Sequence, residues 1–165
     1  MAPDVVTTFP GFEAWYLAEH PKVLATLVFV SGNADVAREA TDEAFARALA
    51  RWSRLREMES PGGWLYTVAL NLVKRHAKRS AAERQALGTA DVPLIWTDRT
   101  TELWSVVQSL PPRQRAAVVL RYLLDMKERE IADVMQISPG TVASTLASAR
   151  LRLAGWLVDD HEEAR

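Results

Sequence analysis

Apolar residues recur along this chain at the three- and four-residue spacing of amphipathic helices, and no segment shows the alternation of a strand. In the first half, this pattern predicts helices over residues 12–30, 34–52 and 64–79. Pro21 is expected to kink or break the first helix, because an interior proline removes a backbone donor. Turn-forming residues separate the predicted helices at Ser31-Gly32-Asn33 and Ser60-Pro61-Gly62-Gly63.

The hydrophobic period fades over residues 81–100, where Gly88 and Pro93 interrupt it. We expect a flexible linker here, with a short helix over residues 81–87. Periodicity returns over residues 101–158 and predicts a second helical module, followed by an acidic tail at 159–165. The sequence therefore predicts an all-α protein in which two small helical modules, residues 1–80 and 101–158, are joined by a linker.

The second module contains the pattern of a helix-turn-helix: a short helix near residues 130–135, a turn, and a further helix opening at Ser138. Ser138 is a favoured N-cap, and Pro139 suits a first helical turn. Val142, Leu146, Ala149 and Leu153 form a core-facing stripe, whereas Thr141, Ser144 and Ser148 lie on the opposite face. A slim polar face suits a DNA major groove, although a helical hairpin that only packs has the same spacing.

The third predicted helix places one aromatic, one amide and several cationic side chains on one side: Trp64, Thr67, Asn71, Lys74, Arg75 and Lys78. Single-stranded nucleic acid is bound by such a set, because cations hold the backbone, aromatics stack on bases and amides read base edges. In the competing interpretation, Trp64 anchors the core and the cations form a solvated face.

The second predicted helix carries an acidic face, formed by Asp35, Glu39, Asp42 and Glu43. Acidic side chains repel phosphate, so this face is expected to lie away from DNA. A basic protein partner would fit it, and simple solubility is the alternative.

Net charge is −1 and the pI is near 6.3, which argues against a protein that holds DNA by its own charge alone. The chain has no cysteine, so disulfides and thiolate zinc sites are excluded. His20, His76 and His161 lie far apart, and no triad, nucleophile elbow or phosphate loop is present. We therefore expect no enzyme activity, metal or cofactor. The N-terminus lacks a secretory signal, and the longest apolar run, residues 23–30, is too short for a membrane span, so a cytoplasmic location is expected.

Several ordered motifs resemble the extracytoplasmic-function (ECF) sigma factors, small sigma-70-type subunits of bacterial RNA polymerase. The resemblance covers residues 12–157 and rests on the combination rather than on any single motif. The motifs are Glu43-Ala44-Phe45, Pro61 to Trp64-Leu65, Ala69 to Asn71-Leu72-Val73, Leu110-Pro111-Pro112-Arg113-Gln114-Arg115, Leu120-Arg121-Tyr122, Glu130-Ile131-Ala132 and Gly140-Thr141-Val142.

This resemblance implies that the chain binds core RNA polymerase, at the clamp coiled coil and flap of its large subunits, and directs it to promoters. An anti-sigma factor is a further implied partner. The implied polymerase-binding residues are Asp35, Glu39, Asp42, Glu43 and Phe45. The implied minus-ten residues, around a 54–63 loop that cradles a flipped base, are Arg54, Arg56, Ser60, Trp64, Thr67, Asn71, Lys74, Arg75, Lys78 and Arg79. The implied minus-thirty-five residues are Arg121, Ser138, Gly140, Thr141, Ala143, Ser144, Thr145, Ser148, Arg150 and Arg152.

The chain departs from the family pattern mainly in the recognition helix. Ala143, Thr145 and Ser148 stand where members commonly carry Lys or Arg, which leaves Arg121, Arg150 and Arg152 to hold the DNA backbone. Gln136 replaces the usual turn glycine. Lys127 replaces a Ser or Thr cap, at a cost of about 1 kcal/mol unless Asp125 substitutes. In the first module, Asp42, Leu70 and Arg75 stand where Gln, Arg and Asp are common.

Two other functions are compatible with these residues. The second module could act as a stand-alone helix-turn-helix regulator, which the near-neutral charge disfavours. The chain could instead be a sigma-like protein-interaction module whose promoter reading has decayed, since the recognition helix lacks its cations.

Overall fold

A computed structural model of the protein describes residues 11–87 and 100–163, and every regular element within these ranges is a helix. The helices are α1 (Phe12–Ser31), α2 (Ala34–Ala50), α3 (Trp52–Leu55), α4 (Pro61–Leu87), α5 (Thr100–Ser109), α6 (Pro112–Tyr122), α7 (Glu128–Met135) and α8 (Pro139–Glu163). The all-α prediction is confirmed. Of the predicted linker over residues 81–100, residues 88–99 lie outside the described residues.

The N-terminal module is built by packing α1, α2 and α4 against one another. Small residues on the inner face of α2 let its neighbours approach closely, and Ala37, Ala44 and Ala48 are fully buried there. Leu27 of α1 and Leu65 of α4 fill the centre of this core. Burial of such side chains, worth about 1.5–3 kcal/mol each, fixes which face of α4 remains at the surface.

The start of α4 differs from the prediction. Ser60-Pro61-Gly62-Gly63 was expected to break the chain, but it opens the helix: Ser60 Oγ accepts a hydrogen bond from the Gly63 N–H at 3.1 Å, and Pro61 occupies the first position. Both residues are favoured there, since the first helical N–H groups lack partners within the helix. The prediction of separate helices over residues 64–79 and 81–87 was also wrong, because α4 continues to Leu87.

The helix α1 runs through Pro21 without ending. Pro21 is exposed, so water can reach the backbone carbonyl one turn earlier that loses its usual donor. The helix ends instead at Gly32, whose φ of 68° is the left-handed conformation that favours glycine.

In the C-terminal module, α6, α7 and α8 enclose a core that includes Leu120, Ile131 and Leu146. Ser138 caps α8 as predicted: its Oγ accepts a hydrogen bond from the Thr141 N–H at 3.1 Å. The predicted inner stripe of α8 is also confirmed, although Leu153 is only partly buried.

The turn and cap of α7 use side chains outside the family pattern. Gln136 takes the left-handed conformation, with φ 56°, at the position where a glycine is usual. The Glu130 carboxylate accepts a hydrogen bond from the Lys127 backbone N–H at 2.7 Å. The expected substitute, Asp125, makes no cap bond to α7; Glu130 stabilises this helix start instead.

The two modules pack against each other in this structure. Helix α1 contacts α5 and α6, and α4 contacts α7. A cavity of about 580 Å³ lies between the modules, lined mainly by apolar side chains from both of them.

Candidate nucleic-acid interfaces

The outer face of α4 presents cations along two helical turns. Lys74, Arg75 and Lys78 are exposed, and none of them forms an ion pair among the described residues. Asn71 is partly exposed on the same side, while Trp64 packs in part against the core. The face therefore combines free cations with one amide and the accessible edge of an aromatic ring.

Arg79 belongs to a different set of contacts. Its Nη2 lies 3.0 Å from His76 Nδ1 and 3.9 Å from the Glu39 carboxylate of α2. His76 is buried, and its Nδ1 also lies 3.5 Å from Glu39. The structure thus directs Arg79 away from the α4 cation face and toward the acidic face of α2.

A cavity of about 430 Å³ opens beside the start of α4. Of the residues predicted for the 54–63 loop and the minus-ten stripe, Arg54 and Trp64 line it. Arg56 is exposed outside the cavity, and Ser60 serves as the cap of α4. Leu55 and Met58, which lie within the predicted 54–63 loop, line it as well. The sequence interpretation missed the three lining residues that precede this loop: Ala50, Arg51 and Ser53. Only the cation at Arg51 offered a signal in the sequence.

The acidic face of α2 is exposed at Asp35, Glu39 and Asp42 and partly exposed at Glu43. These carboxylates have basic neighbours: Arg38 lies 2.9 Å from Asp35, His20 lies 3.6 Å from Asp42, and Arg47 bonds Glu43. Exposed pairs of this kind contribute about 0–1 kcal/mol and exchange readily for another partner.

Phe45 does not share this surface. It is 3% exposed and packs against the rings of Trp15, Tyr16 and His20, with centroid distances of 4.9–5.5 Å. The structure therefore places Phe45 beneath the acidic face, as part of the core, rather than at a surface where it could contact a partner directly.

The outer face of α8 carries small side chains. Gly140, Ala143, Ser144 and Ser148 are exposed, and Thr141 and Thr145 are partly so. The Ser144 hydroxyl donates to the Thr141 carbonyl at 3.1 Å, and the Thr145 hydroxyl donates to the same carbonyl at 2.6 Å. A shallow groove of about 310 Å³ runs beside this face, lined by Pro111, Arg113, Gln114, Ser144, Thr145 and Ser148.

Two of the three arginines predicted to hold DNA in this module already make contacts within the chain. Arg121 donates to the Met126 carbonyl at 2.8 Å. Arg150 donates to the Tyr122 hydroxyl at 3.0 Å, a bond that raises the pKa of Arg150. Arg152 is exposed. Arg113, which the sequence interpretation did not select, lies at the groove itself.

No group of three or more potential metal-binding side chains occurs in residues 11–87 and 100–163. In the same ranges, no helix combines the length and apolar character needed to cross a lipid bilayer.

Family models match both modules of the chain. "Sigma-70 region 2" matches residues 15–83, and "Sigma-70, region 4" matches residues 100–153. The first match contains the α4 cation face and the acidic face of α2, and the second contains the helix-turn-helix.

Characterised relatives show the same likeness over most of their length. The chain is 32% identical to the RNA polymerase sigma-E factor of Streptomyces coelicolor over 136 residues, which are 78% of this chain and 76% of that protein. It is 28% identical to the ECF RNA polymerase sigma factor EcfG of Rhodopseudomonas palustris, across 89% of this chain and 85% of the relative.

A solved structure shares the fold. The sigma factor RpoE of Bartonella quintana, in a co-crystal structure with the anti-sigma factor NepR, superposes with a TM-score of 0.80 at 19% identity. The match covers 88% of this chain and 96% of that one.

Proposed function

Because this chain belongs to the ECF group of the sigma-70 family, and so to the transcription initiation factors that direct RNA polymerase to promoters, we propose the following division of labour. The exposed acids of α2 bind core polymerase, α4 and the cavity at its start engage the melted minus-ten element, and the outer face of α8 reads the minus-thirty-five element.

The continuous surface that joins the α3–α4 cavity to the cations of α4 carries this proposal. Arg54 and Trp64 line the cavity, and Asn71, Lys74 and Lys78 continue away from it along one helix face. A base turned out of its stack would enter the cavity, and the strand leaving it would meet cations at intervals along the helix.

The polymerase contact follows from charge. The chain has a net charge of −1, so it gains little from attraction to DNA by itself. Asp35 and Asp42 project from α2 into solvent and offer a carboxylate surface to a basic partner. Attachment to polymerase then adds phosphate-binding surface to the cations of α4.

An anti-sigma factor is part of the proposal. The RpoE chain that shares this fold was solved with the anti-sigma factor NepR. The cleft between the modules offers an apolar wall edged by Lys74 and Arg113, which suits an amphipathic helix with acidic residues.

Co-elution with core polymerase and run-off transcription test the proposal together. Asp42→Arg should reduce co-elution, because it places a cation in the acidic face. Asp133→Arg, which changes an exposed acid on α7, is the matched control. Wild-type protein that does not co-elute with core polymerase contradicts the proposal.

The same assays separate the competing functions. Co-elution without transcription from any promoter favours an interaction module with decayed promoter reading. A footprint on duplex DNA in the absence of polymerase favours a stand-alone regulator.

A further inference from the structure

The C-terminal end of α1 is held by two side chains of the other module. Gln108 Nε2, at the end of α5, donates to the Phe29 carbonyl at 2.8 Å. Arg115 Nη1, on α6, donates to the Val30 carbonyl at 3.2 Å. The first bond joins residues that are 79 positions apart in the chain, and the second joins residues that are 85 positions apart. Both therefore depend on the packing between the modules rather than on local sequence.

The bonds fall where a helix has unmet acceptors. The last four carbonyls of a helix lack donors within it and carry a partial negative charge. Arg115 Nη2 also donates to the carbonyl of Gln108, in the last turn of α5, at 2.8 Å, and to that of Leu110, just after this helix, at 3.2 Å. One guanidinium therefore joins the carbonyl ends of two helices that belong to different modules.

The neighbouring residues fit closely around these bonds. Gly32 has a φ of 68°, and a Cβ added to it would lie 2.4 Å from Gln108 Oε1. The ring of Phe29 meets the ring of Trp104 edge to face, with centroids 4.7 Å apart. Burial lowers the pKa of Arg115, which reflects the partial removal of its guanidinium from water. The contact is thus a packed interface and not a loose encounter.

The cavity at this interface reaches the α4 cation face at one residue. Lys74 lines the cavity between the modules, and Met135 and Ile137 of the helix-turn-helix line the same cavity. The packed arrangement therefore places the second module beside Lys74, which belongs to the surface assigned to the melted strand.

The packed arrangement also conflicts with simultaneous reading of two promoter elements. Elements centred about 25 base pairs apart lie roughly 85 Å apart along B-form DNA. A compact chain of this length has a radius of gyration of only about 15 Å. The modules must separate before both elements can be read.

We propose that the hydrogen bonds of Gln108 and Arg115 to the end of α1 form an autoinhibitory latch that holds the chain closed until it meets polymerase. Closure is a property of the isolated chain. Its effect on polymerase binding rests on the proposed function. Polymerase then shifts the population from closed to open chain. The apparent affinity for polymerase is proportional to the fraction of chain that is open.

Gln108→Glu tests the latch in the full-length chain. A carboxylate of the same shape cannot donate to the Phe29 carbonyl, so the ratio of closed to open chain should fall roughly two- to tenfold. Gln85→Glu makes the same charge change at an exposed position of α4 and should leave the ratio unchanged.

Energy transfer between two dyes reports the ratio directly. Because the chain has no cysteine, Ala18→Cys with Ala147→Cys places one dye on an exposed position in each module. Wild-type chain should show a high-transfer population, and Gln108→Glu should move it to low transfer. Arg115→Lys, which cannot bridge three carbonyls, should open the chain as well, with helix content checked by circular dichroism.

The outcomes separate the latch from the proposed function. Equal transfer in wild type, Gln108→Glu and Gln85→Glu, or a wild type that is already open, overturns the latch. If both chains bind polymerase, and the opened Gln108→Glu chain binds it no more tightly than wild type, the inhibitory role of the latch is overturned. If neither chain binds polymerase while the dyes still report opening, the proposed function fails and the latch stands.

Discussion

The two longest helices described, α4 and α8, begin with the same tripeptide, but the side chains on their outer faces differ in chemistry. The tripeptide is Ser60-Pro61-Gly62 in α4 and Ser138-Pro139-Gly140 in α8. In each, the serine Oγ caps the helix by accepting a backbone hydrogen bond at 3.1 Å. Farther along, α4 exposes the cations Lys74, Arg75 and Lys78. The first turns of α8 expose hydroxyl groups and alanines, and the only cations among its described exposed side chains, Arg150 and Arg152, follow them. Identical starts therefore precede two outer faces of different chemistry.

The difference indicates how affinity and selectivity are divided between the modules. Cations bind phosphate whatever the sequence, whereas small hydroxyls contribute only when they meet a particular base edge. We infer that α4 supplies much of the chain's own attraction for nucleic acid and that α8 adjusts the choice of site.

Removing the cations of α4 should have the largest effect. In holoenzyme, replacing Lys74, Arg75 and Lys78 together with Gln should lower promoter opening about tenfold or more near physiological salt. The dependence of log affinity on log salt should become shallower by about 2, since each single-strand phosphate contact contributes roughly 0.7. Opening is measured by permanganate reactivity over a salt series.

The matched change in α8 is Arg150→Gln with Arg152→Gln. Its effect should be smaller, because Arg150 already donates to the Tyr122 hydroxyl. Equal losses in the two helices would contradict the division between them.

Removing the hydroxyls of α8 should change the preference among promoter sequences more than the overall affinity for DNA. Ser144→Ala with Ser148→Ala is expected to alter discrimination among upstream base pairs by about 1–3 kcal/mol per contacted position. Competition between promoters that differ only upstream measures this effect. Ser109→Ala removes a hydroxyl outside the groove and is the control. Unchanged preference in the double variant would remove α8 from the reading surface.

The caps offer a test in which the two helices should behave alike. Ser60→Ala and Ser138→Ala should each lower the free energy of unfolding by about 1 kcal/mol, because each leaves one helix-terminal N–H without its acceptor. Ser→Gly at either position should cost only a few tenths of a kcal/mol. Chemical denaturation followed by circular dichroism measures the free energy of unfolding of all four variants. Clearly different losses in the two alanine variants would show that the tripeptide does not stabilise the two helices equally.

The sequence revealed one of these helix starts and concealed the other. At Ser138, apolar spacing resumes immediately with Val142 and Leu146, so the cap and its helix could be inferred together. At Ser60, a second glycine follows the first, and the run resembled a chain break. Local composition alone could not show that packing of Leu65 against α1 and α2 fixes this segment as helix.

Individual contacts of the candidate site were less predictable than its faces. The periodicity placed Lys74 and Ser144 on outer faces, and both are exposed. It could not show that Arg121 is committed to the Met126 carbonyl, because that acceptor belongs to the backbone and leaves no mark in the sequence. The contacts of Gln108 and Arg115 with the end of α1 were hidden for the same reason.

The inner face of α4 contains a buried ionisable side chain, Tyr66, so its stability should depend on pH in a way that can be measured. Burial raises the pKa of Tyr66 on α4 to about 12, whereas the buried side chains described on α8, such as Val142 and Leu146, do not ionise. The folded state therefore favours the neutral phenol. The stabilisation from Tyr66 is fully present below its ordinary pKa of about 10 and is lost as pH rises toward 12.

Tyr66→Phe should leave stability at pH 7 nearly unchanged and should flatten the decline between about pH 10 and pH 12. Tyr122→Phe removes an exposed tyrosine and serves as the control, since it should leave that decline in place. Thermal unfolding followed by circular dichroism across this range measures the slopes. Parallel slopes for wild type and Tyr66→Phe would mean that the phenol of Tyr66 reaches water in the folded module, and that α4 is packed less tightly than its burial indicates.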